Sequence, residues 1–515
     1  MRHLLSSPKI VKCILLGCII LTIAFFASTL HTLYLSQEED DISFYMYPRK
    51  EFSNVSYDVI SDDFFKCFSK LSYDVSMREN VKKSTESSAI NKISESHSLF
   101  YMMGALSQLI SSINIDLSII EPSILFCLLP RARKELLLRR KFNFTHFSAH
   151  DNLISLGIFA KDAPLLEKEE TKENFRAAGF QPFFAKSPIA DWMVPKNATA
   201  KSSEFISHIF YSYEKFLIHI VVFYNRSNYL WHQSLPSSSD IPSIQDIVFF
   251  KDASAYDNFE FIPANLDLLF PHSEFSIPTR PDYFLFQIQH SRFLECNKSI
   301  VAEFKNKTSE KDRGDRASES AEKFVKRTVI AIRQLKYDLS SLLMNHWIWS
   351  GTMLGWHRQC DIIPYTSDVD FGAWADEVDD VDELLKMFSS DNKPYKIRER
   401  YGIPERGLEF NLNCHGLRVD VFFLYPESNG TWYAGHRPSK GYYFKYHHPS
   451  FTLCSCDLLG EKVTVPCETE KCISAEYGPE WMKPVSSWNY ESSIKNRGPN
   501  IYWPKELEGK TYTGY

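Results

Sequence analysis

The stretch Trp347-Ile348-Trp349-Ser350-Gly351-Thr352-Met353-Leu354-Gly355-Trp356, followed by Asp368-Val369-Asp370, decides how this chain is read. An apolar run ends at a Gly-Thr pair that opens a helix, and two carboxylates follow on the next strand. Side chains two apart on a strand point to the same face, so Asp368 and Asp370 can share one ion. Backbone N–H groups at the helix start suit a phosphate. The order therefore predicts a phosphorylated donor held by the Gly-Thr turn and a divalent metal held by oxygen ligands.

A third carboxylate joins by strand pattern. In Arg418-Val419-Asp420-Val421-Phe422-Phe423-Leu424, the residues Leu417, Val419, Val421 and Phe423 alternate with Arg418, Asp420 and Phe422. A charge emerging among so many apolar neighbours needs a partner, because burying it alone is costly. Either a metal shared with Asp368 and Asp370 supplies it, or Arg418 or another base does. The pair Asp380-Val381-Asp382 is a control: it has the same spacing, no glycine turn before it, and a charged helical setting that faces solvent.

Working outward, Phe324, Val325, Val329, Ile332, Leu335, Leu339, Leu342 and Leu343 recur at helical spacing, and 305–323 hold no apolar residue larger than Ala. This predicts a polar linker over 304–323, a catalytic domain over 324–515 and a separate α/β domain over 60–303. Within the latter, 98–129 reads as a buried helix, and 218–224 and 246–250 read as strands.

Residues 13–35 contain no Asp, Glu, Lys or Arg. As a helix they would be roughly 34 Å long, enough to cross a ~30 Å hydrocarbon core; a cleaved signal peptide is the competing reading. Arg2, His3, Lys9 and Lys12 precede the run, and Glu38, Glu39, Asp40 and Asp41 follow it. The charge bias predicts a cytosolic tail (1–12), a membrane anchor (13–35), a stem (36–59) and a lumenal body, a type II orientation. Sequons at Asn54, Asn143, Asn197, Asn225, Asn297, Asn306 and Asn429 agree with a lumenal body.

Nine cysteines lie beyond the anchor, and an oxidising lumen makes disulfides the expectation, with at least one cysteine unpaired or paired to another chain. Cys454, Cys456, Cys467 and Cys472 could instead form a zinc site, although the first spacing is tight for one. A net charge of −6 argues against a nucleic-acid partner.

The block GTMLGWHRQCDIIPYTSDVDFG, residues 351–372, resembles the signature of the fukutin and LicD-type family. The resemblance continues through Leu408-Glu409-Phe410, Val419-Asp420-Val421, Phe444-Lys445-Tyr446, Val465-Pro466-Cys467-Glu468-Thr469, Tyr477-Gly478 and Trp503-Pro504. It implies a nucleotidyltransferase-like fold, a mixed sheet flanked by helices, in a Golgi membrane enzyme. The implied reaction moves ribitol 5-phosphate from CDP-ribitol to the O-mannosyl glycan of an α-dystroglycan-type glycoprotein, with other Golgi glycosylation enzymes as partners. Asp368, Asp370 and Asp420 would ligate Mg²⁺ or Mn²⁺, with Asp420 an alternative proton acceptor. Gly351, Thr352 and Gly355 would face the donor, and Arg358 or Lys445 would add a charged contact.

Trp347, Trp349 and Trp356 are expected in the core rather than stacked on a base. His357 stands where the family usually has Tyr, and the extra Cys456 and Cys472 are expected to bond to each other. Two other functions compete: transfer of another group (phosphocholine, glycerol phosphate or a sugar), and an inactive adaptor for glycosylation enzymes.

Overall fold

The structure is a computed structural model that describes residues 67, 102–142, 153–193, 204–236, 249–264, 275–315, 318–485, 488–507 and 509–515. β-Branched and aromatic residues dominate the expected strand at 218–224, and they form the middle of the strand Phe216–Arg226. Both of its edges are paired, with Leu153–Phe159 in parallel and with Glu204–Tyr213 antiparallel, and most of its side chains are buried. These strands belong to a nine-stranded mixed sheet that also holds Leu117–Ile119 and Phe275–Pro278, paired in parallel.

Two local expectations are corrected. The buried helix expected over 98–129 is broken: 102–112 are helical, Asn114 turns into the left-handed region, and Leu117–Ile119 becomes a strand before the helix Pro122–Leu128. Residues 249 and 250, expected at the end of a strand, are a turn, and 246–248 lie outside the described residues.

The second half builds another nine-stranded sheet. The long helix Glu319–Ser341 begins at Ser318, whose hydroxyl accepts from the Ala321 N–H, and lays Ile332, Leu335 and Leu339 on the sheet. Residues 304–323 are largely helical, holding the end of Lys298–Lys307, the short helix Glu310–Arg313 and the start of the long helix.

The sheet forks at its central strand, Leu417–Glu427. Residues 418–424 pair in parallel with the acidic strand Asp368–Trp374, 417–422 pair antiparallel with Arg406–Cys414, and 425–427 pair with Gly430–Arg437. The strand His346–Ile348 flanks the acidic strand, and Tyr512–Gly514 closes the opposite edge beyond Tyr395–Ile403.

Each sheet has its own apolar cluster, yet the described residues of both halves form one compact unit. Leu343, just past the long helix, sits in the core of the first sheet. The buried Arg140 side chain donates to the carbonyls of Leu342 and Leu343 and pairs with Asp379 at 2.9 Å. Asp257 of the first half accepts from Lys336 of the long helix at 2.9 Å, and Lys462 lies 3.8 Å away.

Disulfides join Cys67 to Cys127, Cys296 to Cys360, and Cys454 to Cys467. The expected Cys456–Cys472 bond is absent: both are buried free thiols, as is Cys414. The zinc reading fails with it, because Cys454 and Cys467 bond to each other.

The expected type II membrane topology is also corrected. No helix among the described residues is long and apolar enough to cross a membrane, and 13–35 lie outside those residues.

Gly372 lies under the wholly buried Trp347, where an added Cβ would sit 2.5 Å from the indole. Gly372→Ala is expected to destabilise the protein by about 1–3 kcal/mol, seen as a lower denaturation midpoint.

Candidate active site

Strand register assembles the acids. Parallel pairing sets Asp370 opposite Asp420 and Asp368 opposite Arg418, and antiparallel pairing sets Asn411 on the far side of Asp420. Directly paired residues share a face. One oxygen from each of Asp368, Asp370 and Asp420 lies within 4.8 Å of the other two.

Each carboxylate is held by neighbouring donors. Thr366 donates to Asp368 at 2.7 Å, and the Gly351 N–H donates to Asp370 Oδ2 at 3.0 Å. Asp420 accepts from Asn411 Nδ2 at 2.6 Å and pairs with Arg418 Nε at 2.9 Å. The Asp370 N–H donates to the Thr352 hydroxyl, and the Trp349 N–H donates to the Asp370 carbonyl, so helix start and acidic strand are stitched together.

Burial pushes the Asp370 carboxyl well above the ordinary range, and Asp368, Asp420 and Glu476 push it further; the Gly351 N–H opposes them. Burial raises Asp420 against the pull of Arg418, and burial and Asp420 raise Glu409. Three carboxylates crowded in this way are short of positive charge. A divalent cation with a preference for oxygen would supply it, so the donor set fits Mg²⁺ or Mn²⁺.

The acids open into a cleft of about 1070 Å³. Gly351 and Arg358 line it. Arg358 is buried, donates to the Trp481 carbonyl and stacks on Phe304; among the described residues no carboxylate pairs with it. Thr352 is turned toward the Asp370 backbone. Gly355 faces the 361–363 backbone, where a Cβ would meet the Asp361 carbonyl at 2.7 Å. Lys445 is not among the cleft residues: it pairs with Glu427 and lies over Trp432.

Trp347, Trp349 and Trp356 are core residues, as expected. The control Asp380 caps the helix Val381–Phe388, accepting from the Asp382 N–H. Sequence reasoning passed over Glu409, a buried acid in the same cleft, and Glu476 behind the turn. Glu409 sits in an apolar strand as Asp420 does, and that signal was available; the place of Glu476 was not, since it arises from a helix more than a hundred residues along the chain.

A mixed sheet that gathers three carboxylates beside a helix start defines a nucleotidyltransferase-like domain. Residues 344–468 match the profile described as LicD/FKTN/FKRP, nucleotidyltransferase domain, and residues 53–326 match the profile described as Fukutin N-terminal. The second match alone covers more than half of the chain, which belongs to the fukutin family. Over 293 residues it is 34% identical to ribitol-5-phosphate transferase FKTN of Mus musculus and of Homo sapiens, covering 56% of this chain and 61% of each relative. An uncharacterized protein of Caenorhabditis elegans is 26% identical over 268 residues, covering 49% of this chain and 67% of that protein.

Proposed function

We propose that this chain transfers ribitol 5-phosphate from CDP-ribitol to a hydroxyl of an O-mannosyl glycan on an α-dystroglycan-type glycoprotein, releasing CMP. The observation that carries this reading is the convergence of Asp368, Asp370 and Asp420 in one cleft, in a chain similar to curated ribitol-5-phosphate transferases. The acceptor oxygen attacks the phosphorus that bears ribitol. A new O–P bond forms, the bond to the bridging oxygen breaks, and CMP leaves. The proton of the acceptor passes to a carboxylate that lines the cleft.

Asp368, Asp370 and Asp420 would hold Mg²⁺ or Mn²⁺, which when bound neutralises charge that builds on the leaving phosphate. Arg358, desolvated and without an acid partner among the described residues, faces the donor phosphates. Gly351 and Thr352 act on the donor indirectly, by fixing Asp370.

CMP release by the purified protein tests the proposal, with CDP-ribitol, CDP-glycerol or CDP-choline, with and without Mn²⁺ and an O-mannosyl phosphoglycopeptide. Metal-dependent release from CDP-ribitol that rises with acceptor is expected. Preference for another donor would replace ribitol in the reaction, and no release from folded protein with any donor would reject the transferase.

A further inference from the structure

Ser350 opens the helix that faces the acids, and its φ is +41°. That left-handed conformation is unfavourable for a residue with a Cβ, so neighbouring groups must hold it. Two do. The Ser350 hydroxyl donates to Glu476 Oε1, and the Tyr477 hydroxyl lies 3.1 Å from it.

Glu476 is wholly buried in the helix Thr469–Tyr477. Among the described residues its Oε2 has no hydrogen-bond partner; it stands 3.6 Å from Nε2 of His448, which is also wholly buried. Burial pushes Glu476 up to about 7 and His448 down to about 3, so neither site favours charge. A half-satisfied carboxyl in such a place costs stability and does nothing for the core.

Its effect is felt one residue along. The backbone angles of Ser350 set the direction of the Gly351 N–H, and that N–H holds Asp370 Oδ2. We propose that Glu476 is a positioning residue, locking Ser350 in the left-handed conformation so that Gly351 fixes the Asp370 carboxylate for metal binding. The inference rests on the three-acid metal site proposed above.

The test compares Mn²⁺ affinity of the full chain, by electron paramagnetic resonance, with CMP release from CDP-ribitol. Ser350→Ala removes the tie and keeps the backbone penalty; Mn²⁺ binding should weaken by about tenfold. Ser350→Gly also removes the tie but adopts positive φ freely, so it should recover most of that loss. Glu476→Ala leaves the Tyr477 contact, so it should weaken binding in the same direction but by less than Ser350→Ala, and adding Ser350→Gly should rescue it. Equal weakening by Ala and Gly at 350, or none by Ala, overturns the proposal even if Glu476→Ala fails to fold. Wild-type protein that binds no Mn²⁺ rejects the metal site itself, and this inference with it.

Discussion

Asp370→Asn is expected to lower metal-dependent CMP release by about 10³-fold while raising the melting temperature of the metal-free protein. The two effects share one cause. Asp370 is buried among Asp368, Asp420 and Glu476, which all disfavour its charge. Asparagine keeps an oxygen for the Gly351 N–H and removes the charge, so the empty site relaxes, by an amount visible as about 2 °C. Removing one pre-oriented ligand at the reacting centre typically costs 10²–10³ in turnover, and a lost metal ligand belongs at or above the top of that range. Mn²⁺ should stabilise wild type against heat and leave the variant unmoved, because a ligand stabilises only the state that binds it. Near-normal release by Asp370→Asn, or an unchanged Mn²⁺-induced shift, would sink the three-acid site.

Arg140→Ala is expected to cost about 3 kcal/mol of stability without touching the cleft. The guanidinium is 4% exposed and donates to the carbonyls of Leu342 and Leu343 as well as to Asp379. The first two receivers stand at the end of the long helix, where carbonyls lack partners within the helix. Truncation would strand them beside Leu343, which plugs the first core. The Asp379 contribution is modest because that carboxylate is partly exposed. Arg140→Lys keeps the charge but not the planar fork, so it should fall between the two. Urea denaturation measures this directly; a loss under about 0.5 kcal/mol for Arg140→Ala would mean that the clamp carries no weight.

Much of the site was legible because strand period is a strict rule. Asp368 and Asp370 had to share a face, and the apolar alternation around Asp420 marked it as a buried charge in need of a partner. Of the two candidate partners, Arg418 pairs with it at 2.9 Å, and the acids that would share a metal with it lie across the parallel pairing. Side-chain spacing could not place Lys445, because its strand lies two strands from the acids and its cation is satisfied by Glu427. Composition marked 304–323 as polar but not that it holds short helices, since exposed helices bury little. The helix expected over 98–129 failed for a related reason: a short, fully buried strand such as Leu117–Ile119 has the same apolar content as a buried helix turn.

The strand Tyr512–Gly514 has a consequence beyond pairing. It covers the open side of Tyr395–Ile403, with Tyr401 opposite Tyr512 and the Tyr515 N–H bonded to the Arg398 carbonyl. Bare sheet margins recruit strands from other molecules. This one lies beside the cleft of the three acids, which Tyr401 also lines. The three-residue strand thus occupies a margin that another strand could otherwise pair with, next to the cleft.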